Sequence, residues 1–545
     1  MAAPHPELIL VNADIHTMDP LVPRASALAV THERVSALGD NAAINALAGP
    51  ATRVIDVSGR VVFPGFQDTH LHLQDSGLQF ALNIKLDAAR TIPELQKLIG
   101  DFAKAHPERD WINGGGWYAG IFGEQNLDRT TLDAVVPDRP AFFFDSNYHS
   151  AVINTKACEM LGLDETVADP PNGHFVRDAK GKPTGMLYED AIDWARSKMP
   201  VPSDEDYAKG VRWGQRHCNE NGLTGVLDAS VNDRHMRVYH ALEKAGELTV
   251  RICATARVDP DETTDGALAR VEELRRMYHS PMLRVHSAKF FLDGIFENRT
   301  AAMIEDYSDK IGGNAPVMFG ENHLRDLFIR FDAARFQIHA HVIGDKAARA
   351  GLDALEAARD INGAWPSLHQ LAHVQSLDPA DIPRFRELGV VANMQPLWAR
   401  NEPSVTDVTI PMVGPERTRW IYAFKSLLDA GAPFTLSSDW GVSTLNPFQI
   451  METAITRQPP GKETKYPPFI PEERIGLADC LRGYTLNAAA AAWRSEDTGS
   501  LAVGKFGDLI VLDRDLFAID PYEIGDTKVL LTLLGGREVY RREGW

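Results

Sequence analysis

The sequence predicts an α/β chain, a (β/α)8 TIM-like barrel with a small β-sandwich domain formed by both chain termini. Three observations predict it. Helix-patterned and strand-patterned runs alternate through the middle of the chain. Strand-like runs without helices cluster at the two ends. Imidazole and carboxylate side chains recur where the middle strands finish, which is where a barrel places its reactive groups.

In chain order, residues 8–16, 27–31 and 52–57 are short β-rich runs separated by Pro, Gly and Asp. Pro64-Gly65 marks the passage into the first barrel strand. Residues 91–199 are rich in Pro, Gly and aromatics and read as an insertion over the barrel mouth. Helical spacing over 207–221, 324–335, 382–388 and 422–430 is followed each time by a strand, at 223–227, 336–342, 390–394 and 433–437. Such units imply a parallel sheet, and their number favours a closed barrel over an open sheet. Residues 508–513, 529–534 and 537–540 are strand-like, with a Gly535-Gly536 turn signalling a hairpin. The expected domains are 1–66 with 485–545 as the β-sandwich, and 67–484 as the barrel.

The chain has 545 residues and a formal net charge of -19, with 44% apolar and 24% charged residues. This is a globular balance. The acidic surface disfavours nucleic acid and anionic membrane as partners, and it does not bear on a small-molecule substrate, because one local patch can oppose the global sign. Four dispersed cysteines, with no C-x-x-C pair, argue against a disulfide framework or a thiolate metal site. No signal peptide or apolar run of about 20 residues is apparent, so the expected location is the cytoplasm. Barrels of this size commonly pair, which leaves room for a homodimer.

The strongest chemical signal is Pro64-Gly-Phe-Gln-Asp68-Thr-His70-Leu-His72. Residues two apart on a strand share a face, so His70 and His72 converge, as a divalent transition metal requires. His339 and His341 are also two apart, His373 ends Leu371-Ala-His, and Asp439 ends Thr435-Leu-Ser-Ser-Asp. Lys289 sits in the apolar run Ala288-Lys-Phe-Phe-Leu-Asp293. A buried ammonium there needs either an acid, with Asp293 in reach along the chain, or chemical neutralisation.

These motifs resemble the amidohydrolase superfamily, and within it amidohydrolase family 3, the YtcJ-like and N-substituted formamide deformylase-like group. The resemblance covers nearly the whole chain. It extends to Gly114-Gly-Gly-Trp117, His149-Ser-Ala-Val-Ile-Asn154, Gly181-Lys-Pro-Thr-Gly-Met-Leu-Tyr-Glu189, Lys289-Phe-Phe-Leu-Asp-Gly294, His341-Val-Ile-Gly-Asp345, His373-Val-Gln375 and Tyr484-Thr-Leu-Asn487. It implies a metal-dependent hydrolase with one or two divalent ions, zinc first. His70 and His72 would hold one metal, and His341 and His373 a second. Lys289, carboxylated by carbon dioxide, would bridge them, and Asp439 would bind metal and carry protons. His339 would serve as a supporting residue.

Asp439 and His341 are thus the candidate catalytic residues. His149, Trp117, Glu189 and Trp440 are expected substrate contacts, and Tyr118 and Trp398 are further aromatics for the pocket. The expected reaction is hydrolysis of a C–N bond in a small amide, such as an N-substituted formamide or an N-acyl compound. Deamination, ester hydrolysis or decarboxylation on the same centre are rivals, as is a non-catalytic metal-barrel binding protein. Ile295-Phe-Glu-Asn298 and Ser437-Ser-Asp-Trp440 depart from the family pattern at the mouth and bear on substrate choice.

Overall fold

A computed structural model describes residues 5–117, 127–146, 148–461 and 466–545. Eight parallel strands form the central sheet: β1 (Phe66–Leu71), β2 (Leu223–Val231), β3 (Arg251–Arg257), β4 (Leu283–Phe291), β5 (Gln337–Val342), β6 (Gln370–His373), β7 (Val391–Met394) and β8 (Phe434–Leu436). They are hydrogen-bonded in that order, and β8 lies against β1. Thr69 Oγ1 donates to Thr435 Oγ1 of β8 at 2.9 Å, and Asn393 Nδ2 of β7 donates to Thr69 O at 3.1 Å. This is the (β/α)8 barrel expected.

The outer faces of the strands are apolar. Phe290 of β4 packs against Phe319, Phe328 and Phe331, with ring centroids 5.8, 5.0 and 5.7 Å away. Its neighbour Lys289 turns to the other side, following the period-2 alternation of a strand.

Both termini build one β-unit. A six-stranded sheet runs Arg537–Arg541, Val529–Leu534, Leu509–Leu512, Val61–Pro64, Asp14–His16, Arg24–Ala25. A four-stranded sheet runs Arg34–Gly39, Ala27–Thr31, Leu8–Val11, Arg53–Asp56. Leu8, Leu10 and Val30 from one sheet share a core with Val62, Leu509 and Leu531 from the other. Residues 8–16 read as one run in sequence but form two strands in different sheets. The break lies at Asn12, whose φ of 53° is a conformation that asparagine tolerates better than most residues. Helix Leu486–Ala491, within the span the sequence assigns to this β-unit, packs on the barrel strands β1 and β8.

The described residues of the segment that reads as irregular form regular structure. They contribute five strands of a six-stranded sheet, Gly173–Arg177, Pro183–Glu189, Ser150–Ile153, Ala141–Asp145 and Ile112–Trp117, and the sixth, Ile84–Lys85, precedes the expected start at residue 91. Its strands are short and glycine-broken, so no single hydrophobic period dominates. The segment leaves the barrel after helix Leu73–Leu82 and returns before helix Asp204–Glu220.

Those two helices pack backbone to backbone. A Cβ on Gly77 would lie 2.2 Å from Gly210 O, and one on Gly210 would lie 2.5 Å from Leu78 N. Gly77→Ala is therefore expected to force the helices apart and cost about 1–3 kcal/mol, read from urea unfolding. Gly100→Ala is the control. It lies in helix Ile92–Ala105, where an added Cβ meets only Val135 at 3.6 Å, and it should be neutral or stabilising. An unchanged unfolding midpoint for Gly77→Ala would contradict the close helix contact.

Among the described residues no helix is long and apolar enough to cross a membrane. The four cysteines are free and buried.

Candidate metal centre

The first and last strands align the centre through backbone hydrogen bonds. Asp439 N donates to His70 O at 2.8 Å, and His72 N donates to Trp440 O at 2.7 Å. Asp68, two residues before His70, accepts from His70 N and Ser438 N, each at 3.0 Å. Burial pushes the Asp68 carboxyl up to about 7 despite these bonds. The clamp sets the Asp439 carboxylate against the histidines. Oδ1 stands 3.3 Å from His72 Nε2 and 3.5 Å from His70 Nε2, and Oδ2 stands 4.0 Å from His373 Nδ1.

The remaining groups arrive by register. The β4–β5 pairing sets Lys289 beside His339 and Phe291 beside His341, and the β5–β6 pairing sets Val342 beside His373. Lys289 is fully buried, with Nζ 3.4 Å from His70 Nε2. One ligand atom from each of His70, His373 and Asp439 fits within 4.8 Å of the others. The His341 ring lies 4.5 Å from the His373 ring, and its Nε2 is 3.2 Å from Gly294 O. All six residues line one cavity of about 2050 Å³ at the barrel mouth.

The ring nitrogens turned away from the centre are held from below. His339 Nε2 lies 2.7 Å from His70 Nδ1, which leaves His70 Nε2 to the centre. His373 Nδ1 lies 2.9 Å from Gln395 Oε1, and Gln395 Nε2 in turn donates to Asn393 Oδ1 at 2.9 Å and Ser437 Oγ at 2.7 Å. Burial first, then nearby cationic groups, hold His70, His339, His341 and His373 well below the usual imidazole pKa. Neutral imidazoles carry the lone pairs that a metal needs.

One alternative left open by the sequence and one expectation are not met in this region. Asp293 is not the partner of Lys289. Its oxygens accept from the amides of Ile343 at 2.9 Å, Gly344 at 2.8 Å and Ala302 at 2.9 Å, pinning the loop after β4 to the end of β5. Trp117 and Trp440 do not line the cavity. Trp117 is buried in the insertion's own core with Leu95, Ile99 and Phe143. Trp440 stacks on Phe80 at 5.3 Å and Trp213 at 5.9 Å, on the side opposite its inward-facing neighbour Asp439. His149, Glu189 and Trp398 do line the cavity, Trp398 lying 5.3 Å from His373 and nearly parallel to it. Burial alone would lower the His149 pKa, but the Glu189 carboxylate 2.8 Å away outweighs it and raises it to about 9. Tyr118 lies outside the described residues.

Sequence reasoning gave no role to Asp68 or Gln395. The spacing could have found both, since Asp68 shares the face of His70 and Gln395 is the first residue beyond β7.

The donor set fits a divalent cation. Asp439 Oδ1 is buried without a hydrogen-bond partner among the described residues, and the His70 and His72 imidazoles face it. Without a cation a bare buried carboxylate oxygen would be costly. The strand ends also carry strained backbone, with φ of 51° at Asp439, 78° at His373 and 41° at Val374. Such conformations cluster at functional sites.

The profile of the amidohydrolase family matches residues 53–540. The chain belongs to the amidohydrolase family. Among its amidohydrolase relatives is an N-substituted formamide deformylase of Arthrobacter pascens, 29% identical over 551 residues that cover 99% of each chain. The putative amidohydrolase YtcJ of Bacillus subtilis is 27% identical over 503 residues, covering 90% of this amidohydrolase and 91% of that one. A crystal structure of an uncharacterized metal-dependent hydrolase from Pyrococcus horikoshii OT3 superposes with a TM-score of 0.75 at 25% identity, over 94% of this chain and 99% of that one.

Proposed function

We propose that this amidohydrolase cleaves the C–N bond of a small amide, an N-substituted formamide or N-acyl compound, with water as the nucleophile and zinc as the metal. The observation that carries the reading is the Asp439 carboxylate oxygen, without a hydrogen-bond partner among the described residues, facing the His70 and His72 nitrogens at the floor of the barrel-mouth cavity. The 29% identity to an N-substituted formamide deformylase over the full length supports the choice of bond.

His70, His72 and Asp439 would hold one ion, and His341 and His373 a second, with Lys289 as a carboxylated bridge. When bound, the metal supplies Lewis acidity, which acidifies water and polarises a carbonyl. Asp439 accepts the proton of the attacking water and passes it to the leaving amine, whose departure as an anion would otherwise be prohibitive. Gln395 keeps His373 in the tautomer that offers its other nitrogen to the centre, and His339 orients the His70 ring. Lys289, buried 3.4 Å from His70, turns from a misplaced cation into an anionic ligand on carboxylation.

Purified protein is expected to contain one or two equivalents of transition metal and to lose amide hydrolysis on chelation, with recovery on adding zinc. Product analysis for released amine separates this reaction from deamination, which yields ammonia, and decarboxylation, which yields carbon dioxide. Metal-free protein with chelator-insensitive turnover would refute the reading.

A further inference from the structure

The insertion sends one pair of polar side chains into the barrel mouth. His149 directly precedes strand Ser150–Ile153, and Glu189 ends strand Pro183–Glu189. The strands pair antiparallel, and Glu189 N donates to His149 O at 3.2 Å. The side chains meet at 2.8 Å, His149 Nδ1 to Glu189 Oε2. The other carboxylate oxygen accepts from Thr300 Oγ1 at 2.7 Å and Asn298 Nδ2 at 3.1 Å, both in the loop that follows β4. Asn298 Nδ2 also donates to His149 O at 2.7 Å.

This arrangement is built at a cost. Glu189 has φ 51° and ψ -124°, a backbone conformation that L-residues seldom adopt. Gly294 makes room for it, because a Cβ there would stand 2.7 Å from Glu189 Oε1 and 2.1 Å from Thr300 Oγ1. Among the described residues the carboxylate serves only His149 and the β4 loop. With Nδ1 taken, Nε2 has no hydrogen-bond partner among the described residues, and its ring lines the cavity, is 17% exposed and lies 5.5 Å from the His341 ring.

We propose that His149 is a further catalytic residue that hydrogen-bonds the reacting amide through Nε2, and that Glu189 is its positioning residue. This rests on the amide-hydrolysing reading above. An amide offers both a carbonyl acceptor and an N–H donor, so Nε2 finds a partner in either protonation state. The insertion then completes the active site instead of only roofing it.

The test uses the zinc-loaded full chain with His149→Ala, Glu189→Gln and the double variant. Kinetics are measured on an N-substituted formamide, and binding is measured by calorimetry with acetamide. His149→Ala should lower kcat/KM about 10²-fold and weaken acetamide about tenfold, with metal content and melting temperature unchanged. Glu189→Gln keeps an acceptor for Thr300 and Asn298 but loses the carboxylate at Nδ1. It should lower kcat more than it raises KM, and the double variant should be no worse than His149→Ala alone. His149→Gln, which retains a polar amide, should recover part of the loss.

Additive losses in the double variant would overturn the positioning role of Glu189. Wild-type kinetics and acetamide affinity in His149→Ala would overturn the contact itself. If wild type hydrolyses no amide, yet acetamide binds and His149→Ala weakens it, the reaction reading falls while the contact stands.

Discussion

Asp439→Asn is expected to keep the metal and the fold and to lose about 10²–10⁴-fold in kcat, the range for removing a general base. The substitution is conservative in three respects. The carboxamide has the same shape. It retains one oxygen for the position 3.3 and 3.5 Å from His72 and His70. Asparagine also tolerates the left-handed backbone at this position, φ 51°, where a branched or larger residue would add strain. What it cannot do is accept the proton of the attacking water. Metal analysis beside single-turnover kinetics makes the check, because it separates loss of the ion from loss of proton transfer. Near-wild-type turnover with metal retained would move the proton carrier elsewhere, with His341 and His149 the next to test.

The second large effect is expected at Lys289. Its Nζ is fully buried, 3.4 Å from His70 Nε2 and 4.6 Å above the Phe291 ring. The acid that the sequence offers as a partner, Asp293, is committed to three backbone amides. Burial pushes the ammonium down to about 7, with Asp439 opposing the shift, so a large neutral fraction exists near neutral pH. A neutral amine can attack carbon dioxide, forming the N–C bond and releasing one proton, and the product is an anionic oxygen donor suited to bridging cations. Lys289→Ala should therefore release at least one metal equivalent and abolish most activity. Acetate or propionate should restore part of it by standing in for the carbamate. Intact-protein mass spectrometry under native conditions should show the added carbon dioxide in wild type only. A single metal per chain, an unmodified lysine and no rescue by carboxylates would refute the bridge.

Local periodicity made much of the centre legible in sequence. His70 and His72 share a strand face by their spacing alone. His373 and Asp439 could be placed at strand ends because each closes an apolar run, and Lys289 and His341 stood out as polar side chains inside apolar strands. The terminal strands were legible for the same reason, and the hairpin at Gly535-Gly536 runs between Val529–Leu534 and Arg537–Arg541.

Three features were decided only by tertiary structure, because each depends on what another strand does. Whether Asp293 meets Lys289 depends on the end of β5, which brings the Ile343 and Gly344 amides to the carboxylate first. Whether Trp440 meets substrate depends on which face Asp439 takes, and the hydrogen bond from Asp439 N to His70 O settles that face. Whether the insertion belongs to the site depends on Glu189 reaching Thr300, a contact 111 residues apart in sequence. A strand's alternation is a local property that composition and spacing carry. Register, barrel closure and loop docking are set by hydrogen bonds between distant segments, and no run of residues encodes them by itself.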